Sequence, residues 1–453
     1  MKILIKNIQL IATFNQQMEE IKNGWILIEN NIIKNLGTGD PPKDFVYEEI
    51  DGKELLIMPG FINVHSHFFQ SLFRAIPEIQ NANLFNWLSY LYNKWKYIDE
   101  EAIYISTIIA TLELIKSGVT TTVDHLYVFP YNNNYLIDAE LEGIKTTKIR
   151  FYGTRGCMSL SKKDGGIAPD SVIQKESDIY EDYERIIKQF HINQKFSMCR
   201  FALAPCSLFT VTENIMKETL KFAEKYNLLL HMHLGETKDE YNFCISKFNL
   251  KPVDYMDKIG WLNDRVWFAH LVNIDDNDIE KLSKAKVGMA HCPTANMRLG
   301  DGIAPVYKMK NTSIKIGIGV DGSASNDTGN FLKEMRNAML LQRVQYGADA
   351  ITAKEALLFG IKGGAKILKI DNEVSSIEIG KAADIIGFKL NQLEFAGAIS
   401  DFISAIIFCD TKQVDLSIIN GNIIIKNSNF LNIDEKKYIE KHNSIAKKYL
   451  QRL

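Results

Sequence analysis

Within the stretch Met58-Pro-Gly-Phe-Ile-Asn-Val-His-Ser-His-Phe-Phe-Gln-Ser-Leu-Phe-Arg74, an apolar run leads into two histidines, His65 and His67. Side chains two apart on a strand share a face, so both imidazoles can reach one metal ion. Further along the chain, His233, His270 and Asp321 also close strand-like runs and join the candidate ligands. Imidazole with carboxylate suits zinc or iron, and three or four ligands with one position open suit catalysis. Glu236 follows in His231-Met-His-Leu-Gly-Glu-Thr237, just past a strand end. A carboxylate there can shuttle protons between a water activated by the metal and a ring nitrogen of a substrate. An isolated His-x-His is more often a pair of satisfied polar residues; here the other strand ends reverse those odds.

These residues need elements that bring them together. Eight runs read as strands: Phe61–His67, Val119–His125, Arg150–Arg155, Phe201–Cys206, Leu228–His233, Val266–His270, Val287–His291 and Ile314–Asp321. Helical patterns lie between most of them, as over Glu101–Lys116, Asp178–Gln189 and Thr212–Tyr226. This alternation predicts an α/β fold with a closed (β/α)8 TIM barrel, whose C-terminal strand ends form the active-site face. An open doubly wound sheet would call for a G-x-G-x-x-G signal, which the chain lacks. Of the nine histidines, eight fall between positions 65 and 291. Residues 1–57 read as short strands. Strand-like runs return at Ser376–Ile379, Asp384–Lys389, Ile403–Ile407 and Leu416–Ile425, before a charged helix from Asp434. The two ends are expected to combine in a small composite β-sandwich, 1–57 with 372–453, beside a barrel over 58–371.

Composition narrows the partners. Lys+Arg is 53 and Asp+Glu is 55, so no basic excess points to nucleic acid or a membrane surface. The six cysteines form no C-x-x-C pair and no disulfide framework, which fits reduced thiols in the cytoplasm. The first residues are too interrupted for a signal peptide, and no apolar run of membrane-spanning length occurs.

The set Pro-Gly-Phe-Ile-Asn-Val-His-Ser-His, His-Leu-Gly-Glu-Thr, Phe-Ala-His and Gly-Val-Asp-Gly-Ser, with Gly380-Lys-Ala-Ala-Asp384, resembles the amidohydrolase superfamily. It resembles the branch that deaminates nucleobases and triazines with one divalent metal ion, zinc first and iron second. The resemblance implies His65, His67, His233 and Asp321 as metal ligands. His233 is chosen over His231 because the ligand lies three before the glutamate, and His231 is left as a structural histidine one layer deeper. It further implies that His270 polarises the attacked carbon or stabilises the oxyanion, that Glu236 moves protons, and that Asp321 accepts the proton of the attacking water. The catalytic set is thus Glu236, His270 and Asp321.

The finer resemblance is to 8-oxoguanine deaminases and their triazine and pterin relatives. It is carried by His67–Ala75, Leu84–Leu88, Arg155–Ser159, Asp164–Val172, Leu203–Ser207 and Asp321–Asp327. Ordinary guanine deaminases that resemble this chain carry an arginine where Cys206 stands, which argues against plain guanine. Gln70, Trp87, Arg155 and Cys206 are the candidate substrate contacts, each with a bland alternative: a helix start, core packing, pairing with a carboxylate such as Asp164, and space filling. His125 and His291 are read as hydrogen-bonded supporting groups. The segment 161–176 is a long loop or a lid. The expected reaction is 8-oxoguanine to urate and ammonia. Hydroxytriazine and pterin deamination are the alternatives within the same chemistry, and an inactive scaffold is the alternative outside it. The partners expected are a small heterocycle and further copies of the chain.

Overall fold

A computed structural model describes residues 2–42 and 48–451. Eight parallel strands close a barrel: β1 (Phe61–Asn63), β2 (Val119–Leu126), β3 (Arg150–Cys157), β4 (Cys199–Pro205), β5 (Leu230–Leu234), β6 (Val266–His270), β7 (Gly288–His291) and β8 (Lys315–Ile318). Each neighbours its successor in sequence, and β8 meets β1 at the single aligned pair Ile318 and Asn63. The strands are buried along nearly their whole length, as expected of a sheet closed inside and covered by helices outside. The helices start where short polar side chains can satisfy free amides. Asp99 accepts from Ala102 N ahead of Glu100–Lys116, and Thr212 accepts from Ile215 N ahead of Glu213–Tyr226.

The first and last strands stop earlier than the sequence suggests. β1 ends at Asn63, and Ser66–His67 instead pairs with Asp321–Gly322 as a separate two-stranded ladder. Asn63 fixes this step. Its amide donates to Thr122 Oγ1 (3.0 Å) and its carbonyl accepts from Val320 N (3.0 Å). One side chain thus ties together β1, β2 and the chain leaving β8.

Both ends of the chain contribute to one nine-stranded sheet beside the barrel. Its order is Asn429–Phe430, Asn422–Lys426, Leu416–Ile419, Ile385–Lys389, Leu55–Pro59, Lys2–Ala12, Glu20–Glu29 and Ile32–Thr38, with Glu48–Asp51 pairing to Lys2–Ala12. Two expected strands are not strands. Ile403–Ile407 lies in the helix Phe402–Phe408, because Asp401 accepts from Ser404 N and caps it. Ser376–Ile379 is irregular, following Ser375 at φ 74°. Asp384 joins the sheet to the barrel floor. It accepts from Arg150 Nε (2.9 Å) and Nη2 (3.0 Å) and from Asn420 N (2.7 Å). The Gly380–Asp384 motif therefore closes on the first residue of β3.

The C-terminal helix Glu435–Leu450 packs on the turn Phe68–Phe73 that follows His67. His442 Nε2 lies 3.0 Å from Ser71 Oγ, and Tyr449 donates to Tyr97 O (2.9 Å). Among the described residues, no helix is long and apolar enough to cross a membrane.

Candidate active site

His65 and His67 reach the C-terminal mouth of the barrel from the segment after β1, His233 from β5, His270 from the end of β6, and Asp321 from the segment after β8. Asp321 Oδ1 is 3.3 Å from His65 Nε2 and 3.3 Å from His67 Nε2, and His67 Nε2 is 3.1 Å from His233 Nε2. A tetrahedral ion with bonds of about 2.0–2.1 Å has ligand-to-ligand edges of about 3.3–3.4 Å. Three of the six edges among these four atoms are thus close to what such a shell requires.

The remaining ring nitrogens decide what these atoms present. His67 Nδ1 donates to His125 O (2.8 Å) and His233 Nδ1 to Cys206 O (2.7 Å). His231 Nδ1 donates to Trp267 O (2.9 Å), so its Nε2 accepts from His65 Nδ1 (2.8 Å). Each of the three rings therefore carries its proton on Nδ1 and turns a lone pair inward from Nε2. His65 Nε2 is buried without a hydrogen-bond partner. Converging lone pairs beside a carboxylate repel one another in a dry site; a divalent cation relieves that repulsion. Burial holds the His65 and His233 imidazoles neutral, with His233 pushed down to about 3 and His65 well below its usual value. Burial opposes ionisation of Asp321, and a bound cation would favour its carboxylate form. The residues present thus fit one divalent cation.

His270 is turned the other way. Asn296 Nδ2 lies 3.0 Å from His270 Nδ1, and His270 Nε2 faces Glu236 Oε1 at 3.6 Å. Burial, with Asp301 and Asp321 adding to it, pushes Glu236 well above the usual carboxyl range, as a proton carrier needs. Glu236 is held by its own backbone: its N–H donates to Glu240 Oε2 (2.9 Å) and its carbonyl accepts from Asn273 Nδ2 (2.7 Å). Gly235, at φ 63°, makes the turn after β5 that allows this. His270 and Asp321 themselves sit at φ 78° and 61°, a region that costs a non-glycine residue about 1–3 kcal/mol and persists where surroundings enforce it.

The residues line a pocket with His67, His233, Glu236, His270 and Asp321 on its floor. Of the candidate substrate contacts, Gln70, Trp87 and Cys206 are on its wall. Gln70 Oε1 is buried and unpartnered, Trp87 Nε1 donates to Ala324 O (3.1 Å), and the buried Cys206 thiol is pushed up to about 12. Arg155 is not on the wall. Its guanidinium is taken up by Asp182, Gly156 O, Asn134 and Gln174 and stacks on Phe129 at 3.7 Å. Its carboxylate partner is Asp182, and Asp164 is occupied by Ser161. No residue of 161–176 lines the pocket; Ile167 N instead donates to Phe209 O behind one pocket wall. His125 donates to Ala204 O, while His291 has no hydrogen-bond partner at either nitrogen. Tyr127 and Ser325 also line the pocket, and Ser325 donates to Asp321 Oδ2 (3.1 Å). Tyr127 is distinguished in the sequence by neither a ligand-type residue nor a motif position, while Ser325 falls within the Asp321–Asp327 motif with no role of its own read there.

A closed barrel with this floor defines a metal-dependent hydrolase of C–N bonds. Residues 56–424 match the amidohydrolase family, and the chain belongs to it. It is 36% identical over 436 residues to the 8-oxoguanine deaminase of Pseudomonas aeruginosa, covering 96% of this chain and 97% of that one. It is 32% identical over 444 residues to the 5'-deoxyadenosine deaminase of Methanobrevibacter smithii, covering 97% and 96%. Its backbone superposes on the zinc-complexed atrazine chlorohydrolase of Arthrobacter aurescens TC1 with a TM-score of 0.92 at 28% identity, covering 98% and 100%. The protein is accordingly a deaminase or aminohydrolase of this family.

Proposed function

We propose that the protein removes the exocyclic amine of 8-oxoguanine, giving urate and ammonia, with zinc held by His65, His67, His233 and Asp321. The observation that carries the substrate is the likeness to the 8-oxoguanine deaminase of Pseudomonas aeruginosa along 96% of the chain. When bound, the cation supplies Lewis acidity that brings the pKa of water toward neutrality.

The chain's own groups do the rest. Water adds its oxygen to the ring carbon bearing the amine, and Asp321, as its carboxylate, takes one proton. His270 offers its Nε2–H to the negative charge that grows on that oxygen. Glu236, held protonated by burial, gives its proton to the adjacent ring nitrogen. The proton held by Asp321 passes to the amine, the C–N bond breaks and nitrogen leaves as ammonia, and the proton still on the added oxygen returns to Glu236 as the carbonyl forms. Trp87 presents its ring to the flat base, and the unused acceptor of Gln70 takes a ring N–H. Cys206 adds no positive charge to the wall.

The test is ammonia release by protein holding one metal per chain, across 8-oxoguanine, guanine, isoxanthopterin and hydroxyatrazine. Fastest release from 8-oxoguanine, with equal urate, supports the reading. Silence on 8-oxoguanine with release from hydroxyatrazine or isoxanthopterin moves the substrate to the triazine or pterin class. Silence on all four removes this substrate assignment.

A further inference from the structure

Asn296 lies just past β7, in Pro293–Leu299, and does not itself line the pocket. Its side-chain nitrogen has two hydrogens and two acceptors in reach: His270 Nδ1 at 3.0 Å and Asp301 Oδ2 at 3.2 Å. Its oxygen, Oδ1, is buried with no partner. The amide could be turned over only by setting Oδ1 against the Asp301 carboxylate, oxygen to oxygen. Asp301 therefore fixes which end of the amide faces His270. A donor at Nδ1 requires a lone pair there, and a neutral imidazole has one proton, so that proton must sit on Nε2.

We infer that Asn296, oriented by Asp301, is a positioning residue that sets the tautomer of His270 and so makes it a hydrogen-bond donor to the reacting oxygen. The contrast with its neighbours is chemical. His67 and His233 give their Nδ1–H to carbonyls, and His65 gives its own to His231; all three present lone pairs. A ring nitrogen of His270 lies within 4.8 Å of candidate ligand atoms of His65 and Asp321, yet His270 meets an amide donor where the other rings meet acceptors. Its inward nitrogen then carries hydrogen and cannot bind the cation. The Asn296–Asp301 pair separates the ligand histidines from the donor histidine.

The functional consequence rests on the proposed deamination; the tautomer itself does not, so the experiment has two arms. In protein labelled with ¹⁵N-histidine, with His270→Gln used to assign its signals, the His270 ring should show a protonated Nε2 and an unprotonated Nδ1. Asn296→Asp keeps the shape and replaces the donor by an acceptor; it should move the proton to Nδ1. Asp301→Asn, equally isosteric, frees the amide to turn and should give a mixture of the two forms. Both variants should keep one metal per chain. On 8-oxoguanine, Asn296→Asp should lower kcat by about 100-fold or more, the scale of losing one oxyanion donor, with little change in KM. A proton on Nδ1 in the unaltered protein overturns the inference, as does an Asn296→Asp variant with the proton still on Nε2. A proton that moves while 8-oxoguanine is untouched by either protein counts against the substrate and leaves the tautomer assignment standing; the metal-loaded substrate panel then supplies the kinetic arm.

Discussion

Asp384→Asn isolates the contact between the terminal sheet and the barrel. Both side chains of the Arg150–Asp384 pair are 2% exposed. Asp384 receives two guanidinium bonds at 2.9 and 3.0 Å and one amide bond at 2.7 Å. Arg150 also donates to Phe196 O (2.9 Å) and Ser197 O (2.8 Å), so it cannot swing to water without abandoning those two bonds as well. Removing the charge of one partner leaves a buried guanidinium facing a neutral amide, one of whose ends is a donor. Breaking such a pair costs about 3–5 kcal/mol, whereas replacing both partners by apolar groups is often neutral. With a urea slope near the upper end of about 1–3 kcal/mol per molar, that is a midpoint lowered by about 1 M or more. Arg150 opens β3 at the end opposite the histidines, so kcat/KM per folded, metal-loaded molecule should be unchanged. The measurement is urea unfolding of Asp384→Asn, Arg150→Met and the double variant Arg150→Met/Asp384→Leu. An unshifted midpoint in Asp384→Asn, or a double variant weaker than the sum of the singles, would show that the pair does not carry the junction.

Four further outcomes are expected. His233→Ala should lose bound metal on dialysis while keeping its far-UV circular dichroism, and full metal retention would count against the four-atom shell. Gly322→Ala puts a Cβ 1.9 Å from Gln70 Oε1 and 2.2 Å from its Cδ, so the buried amide must leave its place; a raised KM with metal retained is expected, and an unchanged KM removes Gln70 from substrate contact. Arg155→Lys should lower thermal stability, because its partners Asp182, Asn134 and Gln174 are left imperfectly matched, with kcat/KM of the folded fraction intact. His442, lowered to about 4 first by burial and then by Arg74, stays neutral when folded while the unfolded chain takes up a proton below about 6.5. Stability should therefore fall as pH drops from about 6.5 toward 4, and His442→Gln should flatten that slope in urea midpoints measured against pH.

The barrel could be read in advance because its strands end in residues of a type that cannot be left unpaired inside a core. His65 with His67, His233, His270 and Asp321 mark four strand ends by chemistry alone. Register at the seam was not readable: an apolar run into His-Ser-His gives no sign that β1 stops at Asn63 and that the ladder resumes at Ser66. Ile403–Ile407 reads as a strand because β-branched residues dominate it, yet Asp401 caps the segment as a helix. Arg155 shows the limit at a strand end. Position suggested the pocket, but only distance reveals that Asp182, 27 residues on, takes up its charge first. Asn296 and Asp301 were invisible for the converse reason: an amide acting through another residue has no ligand-like signature.

The seam between β8 and β1 has a consequence for how the protein is made. Its barrel pairing there is a single aligned pair, extended by the short Ser66–His67 ladder with Asp321–Gly322. Two ligands leave the ribosome early and the carboxylate only after some two-thirds of the chain. A cation bound in the proposed shell would therefore act as a clock for synthesis: a nascent polypeptide could not complete that shell before the ring had joined, and the ion would then hold the join shut.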